Sequence, residues 1–544
     1  MIGSGARVRA NIPLTVVAEP AVAPLEAYHE VYMGQTPQSA DIAVRHAPVA
    51  MPFLTGTDAS TYAVRKNEAR FNRNAPFDAR AILDVPDFRA TLTPAPLGKF
   101  NGLSDSIGTC PYFGGCQPPD MALAASPAYV VQVVNTSIAI YSTNGKMQSG
   151  FPKNLTNFYG IPAPTPAGCD SRGPFEGDPR AFYDPTDGRF WVVAWQSEGT
   201  QGLNSCALKS LYWVAVSKSS NPTAGWNVYA FDMKSGTTNW ADYTQIGLDA
   251  TAFYFGGNMF NQAGTAYQYD EIFSANKKSM EAGLRVTPRG LKNISVAGVL
   301  VDTLQPVAVE GASPGAGLFI NSFNINSGGG QCSVGCSGIN VFAMANPLTA
   351  PKLTMKTITS LNYTLPPFAN QPGKPSSVES LDTRITGTPV YRNGIISWAH
   401  ETGVNTGGAV VPGIHWGQVA PTVVSGTITQ LGMVQEGLLS FVGGRAATFG
   451  AVMTNSAGNL LMVFDSMGPN LDPSIFYVSR KISDPLGTFG APQTLVQSKT
   501  PTIDNRWGDY EATSYDGIND NVWFASEFSG PKGDWSTFIG KTKL

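Results

Sequence analysis

Along most of the chain, short apolar runs alternate with polar turns, and this alternation recurs with a long period. Residues 177–196 read GDPRAFYDPTDGRFWVVAWQ, and residues 508–528 read GDYEATSYDGINDNVWFASEF. Each opens on Gly-Asp, follows a short strand to Tyr-Asp, turns on Asp, Gly and Asn, and enters an aromatic apolar strand. Further copies are ADYTQIGLDATAFYFGGNMF (241–260) and PDMALAASPAYVVQVVN (119–135). Weaker ones are LDTRITGTPVYRNGIISWAH (381–400), GRAATFGAVMTNSAGNLLMVFD (444–465) and VEGASPGAGLFINSFN (309–324). The polar residues opening the copies are Asp120, Asp178, Asp242, Glu310, Asp382, Arg445 and Asp509, spaced by 58, 64, 68, 72, 63 and 64 residues. No long amphipathic helix separates them. A period of this size with about four strands per unit predicts an all-β chain, a seven-bladed β-propeller over residues 105–544. The turns at Asp184–Gly188 and Asp516–Asn519 carry ordinary hairpin chemistry, with a calcium loop as the alternative.

The last unit shows strands near 510–515, 522–528 and 536–542, and no fourth. An open blade would leave an unpaired edge. The N-terminal region is the natural donor, with the closing strand expected within 85–104. Residues 1–104 hold ten prolines and no cysteine. Their remainder is expected to wrap the outside as a Pro-rich extended arm.

Composition fits this picture. Hydrophobic residues are 42% of the 544 and charged residues only 14%. Gly (58) and Pro (40) supply many turns. The net charge of −3 leaves no basic field for nucleic acid. No apolar stretch is long enough to span a bilayer. Pro13, Glu19 and Pro20 break the only short apolar run near the N-terminus, so the natural signal peptide is expected to be absent from this chain. A monomer is expected.

The six cysteines are Cys110, Cys116, Cys169, Cys206, Cys332 and Cys336. An even count in a charge-poor chain favours an oxidising, extracellular compartment. Metal binding would need CxxC pairs with partners, and no histidine lies near any of them. Proximity pairs Cys110–Cys116, Cys169–Cys206 and Cys332–Cys336 as disulfides. All six fall in loops expected on one face, the face where the innermost strands begin.

That face also gathers the opening residues at the channel mouth. Near them in sequence are Arg172, Glu176, Arg180, Arg384, Arg506 and Glu511. His400 and His415 flank one loop of the fifth unit. An acid ring with interleaved arginines could hold a cation at Asp120, Asp178, Asp242, Asp382 and Asp509, calcium being the one considered. It could also position a water or grip an acidic sugar, since the guanidinium fork suits carboxylates. The competing reading is structural: an Asp repeated in most units serves the fold, accepting backbone N–H groups and bridging to the next unit. Catalytic candidates are Asp178, Arg180, His400, His415, Asp509 and Glu511. Ligand-binding candidates are Arg384, Arg445, Arg506 and Tyr510. No GxSxG elbow, HExxH, P-loop or dinucleotide fingerprint occurs.

The order PPD…VVQVVN…AIY (118–141), GDPRAFYDPTDGRFWVV (177–193), DYTQIGLDATAFYFGGNMF (242–260), LDTRI…VYRNG (381–394) and RWGDYEATSYD (506–516) resembles a family of secreted bacterial β-propeller proteins. That family is loosely similar to sialidase and BNR-repeat propellers, and the resemblance implies a scaffold, not an activity. Sialidases use an arginine triad, a Tyr–Glu pair and an Asp. This chain lacks a clear SxDxGxTW box, so those roles are not carried over. The leading expectation is a secreted binding or surface-interaction protein using this face for carbohydrate or protein ligands. The alternative is a carbohydrate-active enzyme, a glycoside hydrolase or polysaccharide lyase, at the channel mouth.

Overall fold

The computed structural model describes residues 21–24, 30–35, 59–81, 92–106, 117–162, 175–199, 208–323, 332 and 335–544. Strand makes up 54% and helix 5%, so the chain is all-β. Among the described residues there are seven sheets of four or more strands, plus a two-stranded ribbon, Ala369–Gln371 with Lys374–Val378.

The first sheet runs Ala122–Ala125, Tyr129–Val134, Ser137–Ser142, Lys153–Asn154. The second holds Phe175–Asp184, Arg189–Glu198, Lys209–Ser217 and Trp226–Asp232, with Glu30–Gln35 on its edge. The third is Trp240–Leu248, Ala252–Phe260, Tyr267–Asn276 and Arg289–Val296, with Ala21–Pro24 added. The fourth is Gln305–Pro306, Gly317–Ser322, Ile339–Ala345 and Lys352–Ile358. The fifth is Val390–Arg392, Ile395–Asn405, Val410–Val424 and Thr427–Leu439. The sixth is Ala446–Thr454, Leu460–Gly468, Leu471–Arg480 and Gln493–Val496. The seventh is Ala512–Tyr515, Asn521–Ser529 and Trp535–Lys543, with Gly98–Ser104 antiparallel to the last as its outer strand.

Each sheet packs on the next, and the series returns to its start. Ala122–Ala125 lies against Phe175–Asp184, which lies against Trp240–Leu248, which meets Gln305–Pro306. Lys352–Ile358 packs on Thr427–Leu439, and Ile395–Asn405 on Ala446–Thr454. Ala446–Thr454 meets Ala512–Tyr515, which meets Ala122–Ala125 again. Most sheets are therefore covered on both faces, which explains why their strands read as near-continuous apolar runs. Trp240–Leu248 and Ala252–Phe260 are buried at every position. All ten tryptophans are buried between sheets. Trp191 stacks on Phe253 across the second interface, centroids 5.1 Å apart. Burying one such side chain stabilises by about 2–3 kcal/mol.

The inner strands share a local feature. Their pairing slips at the same place in three sheets, between Gly177 and Arg180, Asp242 and Gln245, and Thr448 and Ala451. Each slip sets two residues opposite one, a β-bulge. Asp178, in the second-sheet slip, and Asp120, just before the first sheet, take left-handed conformations, with φ 45° and 43°. Asp and Asn tolerate this region better than most residues, which is one physical reason for an aspartate at these two positions. In the seventh sheet Gly508 occupies it, with φ 60°, and a Cβ would lie 2.6 Å from the Phe449 ring.

Two opening residues are corrected. The bulge aligns Thr448–Phe449–Gly450, not Arg445, with Asp242–Tyr243–Thr244. The fourth sheet opens at Gln305–Pro306. Glu310 instead follows Ala308–Val309, which pairs parallel with Val390–Arg392 of the fifth sheet.

Candidate active or binding site

The inner strands border a partly open cavity, lined by Met121–Leu123, Arg180–Tyr183, Ala308, Glu310, Thr388, Val390, Ala451, Met453 and Glu511–Ser514. Small and aliphatic side chains dominate its wall. The bulges at the start of the inner strands gather Asp120, Asp178, Asp242, Asp382, Asp509, Arg180, Arg384, Arg506 and Tyr510 at one end.

Arg180 is the hub of this cluster. It is 3% exposed. Its Nε donates to the Thr244 carbonyl (3.1 Å) and its Nη2 to the Thr386 carbonyl (2.6 Å). Its guanidinium carbon lies 3.3 Å from the centre of the Tyr510 ring and 5.4 Å from that of Tyr243. The two rings stack 6.0 Å apart. Tyr510 donates to the Pro179 carbonyl (2.9 Å), and Gln305 donates to the Tyr243 hydroxyl (2.8 Å).

The other two arginines are paired. Arg384 donates from Nε to both oxygens of Asp382 (2.9 and 3.0 Å). Arg506 grips Asp509 with two parallel bonds of 2.6 Å. Only this second pair is noticeably open, its side chains 16% and 21% exposed. Burial lifts the Asp382 carboxyl to about 6, against the pull of Arg384. Burial also raises Asp509, although Arg506 opposes it.

The remaining acids serve as connectors. Asn135 donates to Asp120 (2.6 Å), and its own carbonyl accepts the Asp178 N–H (2.7 Å), which joins the first sheet to the second. Trp195 donates its indole N–H to Asp178 (2.6 Å), and Thr244 of the third sheet donates to the Asp178 carbonyl. The Asp178 carboxyl lies near those of Asp120 and Asp242. Burial, with Asp509 and Asp178 nearby, pushes Asp120 well up; burial and Asp178 do the same to Asp242.

These ring acids do not converge on a single point. Among the described residues, the groups close enough to share one ion are Asp184, Asp187 and Glu281, and Asp465, Glu511 and Glu527.

Other candidates stand elsewhere. Arg445 packs outward, its guanidinium 3.9 Å from the Phe441 ring centre and 4.4 Å from that of Phe476, with Nε on Ser466. Glu310 lies at the far end of the cavity, paired with Arg392 at 3.3 Å. Glu176 is buried and accepts from Thr156 (3.0 Å). His400 and His415 are not loop residues. They face each other directly on neighbouring strands, both buried. His400 Nδ1 meets the Glu401 carbonyl (2.8 Å), His415 Nδ1 meets His400 Nε2 (3.1 Å), and His415 Nε2 meets Glu436 (3.0 Å). The His400 carbonyl partner fixes its proton on Nδ1, so its Nε2 accepts. Burial, then His415, holds His400 well below its ordinary value, hence neutral. Neither histidine lines the cavity.

Cys332 and Cys336 form a disulfide that packs on Tyr363, whose ring lies 4.8 Å from His400. Cys110, Cys116, Cys169, Cys206 and Arg172 lie outside the described residues.

Sequence reasoning missed Lys66 and Tyr62. They lie on the helix Ala59–Ala69, in the region expected to be an extended arm. Lys66 is fully buried, pairs with Glu379 at 3.1 Å and donates to Ser380 (2.7 Å) and the Leu381 carbonyl (2.5 Å). Tyr62 donates to Glu379 (3.1 Å). The helix is thus seated beside Asp382. Its signal was local: ASTYAVRKNEA is free of Gly and Pro within a Pro-rich stretch.

No family model and no curated protein matches the chain. Among solved structures it is similar to a sialidase from Trypanosoma rangeli in complex with the inhibitor DANA. Identity is 9%, with 73% of this chain and 56% of that chain covered and a TM-score of 0.34. The match spans little more than half of the sialidase. An alpha-L-arabinanase of Penicillium chrysogenum complexed with arabinobiose gives 9% identity, 83% and 99% coverage, and a TM-score of 0.39. The polysaccharide lyase Uly1 gives 9%, 96% and 100%, with a TM-score of 0.38. No described helix is long and apolar enough to cross a membrane.

Proposed function

We propose that the seven sheets are the blades of one propeller, closed by the 85–104 segment, and that the chain is an extracellular binding protein. Its ligand is a carbohydrate, taken at the Arg506–Asp509 end of the channel and not cleaved. One observation carries the choice of binding over catalysis: nearly all the charge at the mouth is spent internally. Arg384 is closed on Asp382, Arg180 on two carbonyls and Tyr510, and Asp178 on Trp195. That leaves the Arg506–Asp509 pair as the charged group facing outward among these residues. An arginine fork of this kind can exchange its partner for a ligand carboxylate, so acidic sugars are favoured.

A second reading rests on the Asp120–Asp178–Asp242 group. Burial raises Asp120 and Asp242, and a carboxyl raised by burial is what a glycosidase general acid requires. The test is a glycan array combined with a polysaccharide degradation screen, using wild type and Arg506→Ala. Binding that Arg506→Ala abolishes, without product release, supports the first reading. Release of reducing ends or unsaturated uronates establishes the second.

A further inference from the structure

Two groups of three carboxylates stand close together, and they differ in what neutralises them. Asp184, Asp187 and Glu281 are met by Lys277 and Lys278, which reach all three acids. Two lysines thus offset most of that group's charge. Asp465, Glu511 and Glu527 are fully buried, their nearest oxygens within 4.8 Å of one another, and no described lysine or arginine pairs with any of them. Three ionised carboxylates so enclosed would repel by several kcal/mol.

Their hydrogen bonds leave a gap on one side. Asp465 accepts from Trp507 Nε1 (2.8 Å) and from Ser526, and Glu527 accepts from the Gly508 N–H. Both oxygens of Glu511, and the second oxygen of Glu527, have no hydrogen-bond donor. Glu511 is only 3% exposed, so water does not satisfy it from outside. A second buried oxygen, Thr448 Oγ1, is likewise without a partner. Thr448 pairs directly with Asp465 across the ladder, so the two side chains share a face.

We infer that Asp465, Glu511 and Glu527 hold a hard divalent cation, calcium foremost, which ties the sixth sheet to the seventh. The donors are all oxygen, the choice of calcium, magnesium or manganese over softer metals. A calcium shell with bonds of about 2.4 Å sets opposite ligands about 4.8 Å apart, a spread this group can span; magnesium needs a tighter one. The ion would clamp residues 507–511, because Trp507, Gly508 and Glu511 all belong to its surroundings. Arg506, Asp509 and Tyr510 lie in or beside that short segment, so the ion would set the geometry of the channel mouth. This site is distinct from the ring of opening aspartates and does not depend on what the mouth binds.

The test uses the full chain, stripped with EDTA and exchanged into metal-free buffer. Calcium is titrated by calorimetry, and terbium by tryptophan-sensitised emission, since Trp507 touches Asp465. The expected result is one calcium per chain, terbium emission that calcium displaces, and a melting temperature that climbs with calcium concentration. Glu511→Gln should weaken calcium at least tenfold, while Asp187→Asn, in the lysine-paired group, should leave it unchanged. If Glu511→Gln does not fold, Glu527→Gln supplies the same comparison. Stripped wild type that gives no heat and no melting shift in millimolar calcium overturns the proposal. So does calcium binding that survives both Glu511→Gln and Glu527→Gln, which places the ion elsewhere.

Discussion

The guanidinium carbon of Arg180 sits 3.3 Å from the centre of the Tyr510 ring, closer than in any other described cation–π pair of this chain. Arg180 belongs to the second sheet and Tyr510 to the segment entering the seventh, and they meet in the space the inner strands surround. The same arginine bonds carbonyls of residues 244 and 386. One side chain therefore ties together segments that enter four sheets.

Replacing Arg180 should be costly and should not be rescued by lysine. Lysine keeps the charge but cannot reach two carbonyls and lie flat on a ring at once. Arg180→Lys is expected to lose about 2–3 kcal/mol and Arg180→Ala somewhat more, because buried acceptors are left unpaired. Denaturant midpoints at constant slope check this. A midpoint unchanged in Arg180→Lys would show that the stacking and the carbonyl bonds contribute little.

Lys66 provides a comparable prediction for the N-terminal helix. Lys66→Met leaves Glu379 buried without its cation and strips two acceptors of a donor. A loss of about 3 kcal/mol is expected, with faster proteolysis around residues 59–81. Hydrogen exchange confined to that helix would report its release.

Stability should fall as pH rises from about 5 to about 8. Burial lifts Glu176 to about 8, Glu198 adding to it while the Thr156 hydroxyl opposes it. Burial likewise lifts Glu401 to about 8. A carboxyl raised in the folded state binds its proton more tightly there than in the unfolded chain. Its contribution is complete below about 4.5 and is lost as pH climbs through about 8. Glu176→Gln keeps a partner for Thr156 and removes the titration. It should be more stable than wild type at pH 8, by about 2 kcal/mol or more, and nearly equal at pH 5. Melts at the two pH values decide; a wild type more stable at pH 8 than at pH 5 would contradict this.

Joining the chain ends gives a prediction about Gly102. Leu103 N–H bonds Gln132, Gln132 bonds Thr537, and Thr537 bonds the Leu103 carbonyl, each within 3 Å. This triangle links the first sheet, the seventh and the Gly98–Ser104 strand. A Cβ on Gly102 would lie 2.4 Å from Thr537 Oγ1 and 2.5 Å from Gln132 Oε1. Gly102→Val should cost about 2–3 kcal/mol by breaking the triangle. Deleting residues 1–104 should expose the edge of Trp535–Lys543 and cause aggregation. Melting of the 105–544 fragment at the full-length temperature would show that this strand does not secure the ring.

The sequence periodicity was readable because the period is imposed by packing. Every sheet must bury both faces, so every unit needs the same apolar strands after the same turn, as in RFWVVAW and NVWFASEF. Asp120 and Asp178 were readable in part because they occupy left-handed positions that Asp tolerates, whereas Leu381, Phe449 and Gly508 take that conformation elsewhere. What failed has a common cause. Arg445 and Glu310 were assigned by spacing, yet a bulge or a short irregular strand moves the register by several residues without leaving a mark in the periodicity. His400 and His415 were read as flanking one loop, and the spacing gave no sign that they face each other, buried, on the two strands that the turn joins. The Asp465–Glu511–Glu527 group was invisible because its members come from two sheets. No local spacing relates residues brought together by the contact of two sheets.

The central claim is that the mouth binds an acidic carbohydrate and leaves it intact. The most direct test incubates full-length protein with a set of acidic polysaccharides between pH 5 and 8 and follows both retention and product release. The account predicts saturable retention that Arg506→Ala reduces at least tenfold, with chain lengths unchanged after prolonged incubation. Shortened chains, or new reducing ends or unsaturated uronates that disappear in Asp178→Asn, would contradict it and make the channel mouth an active site.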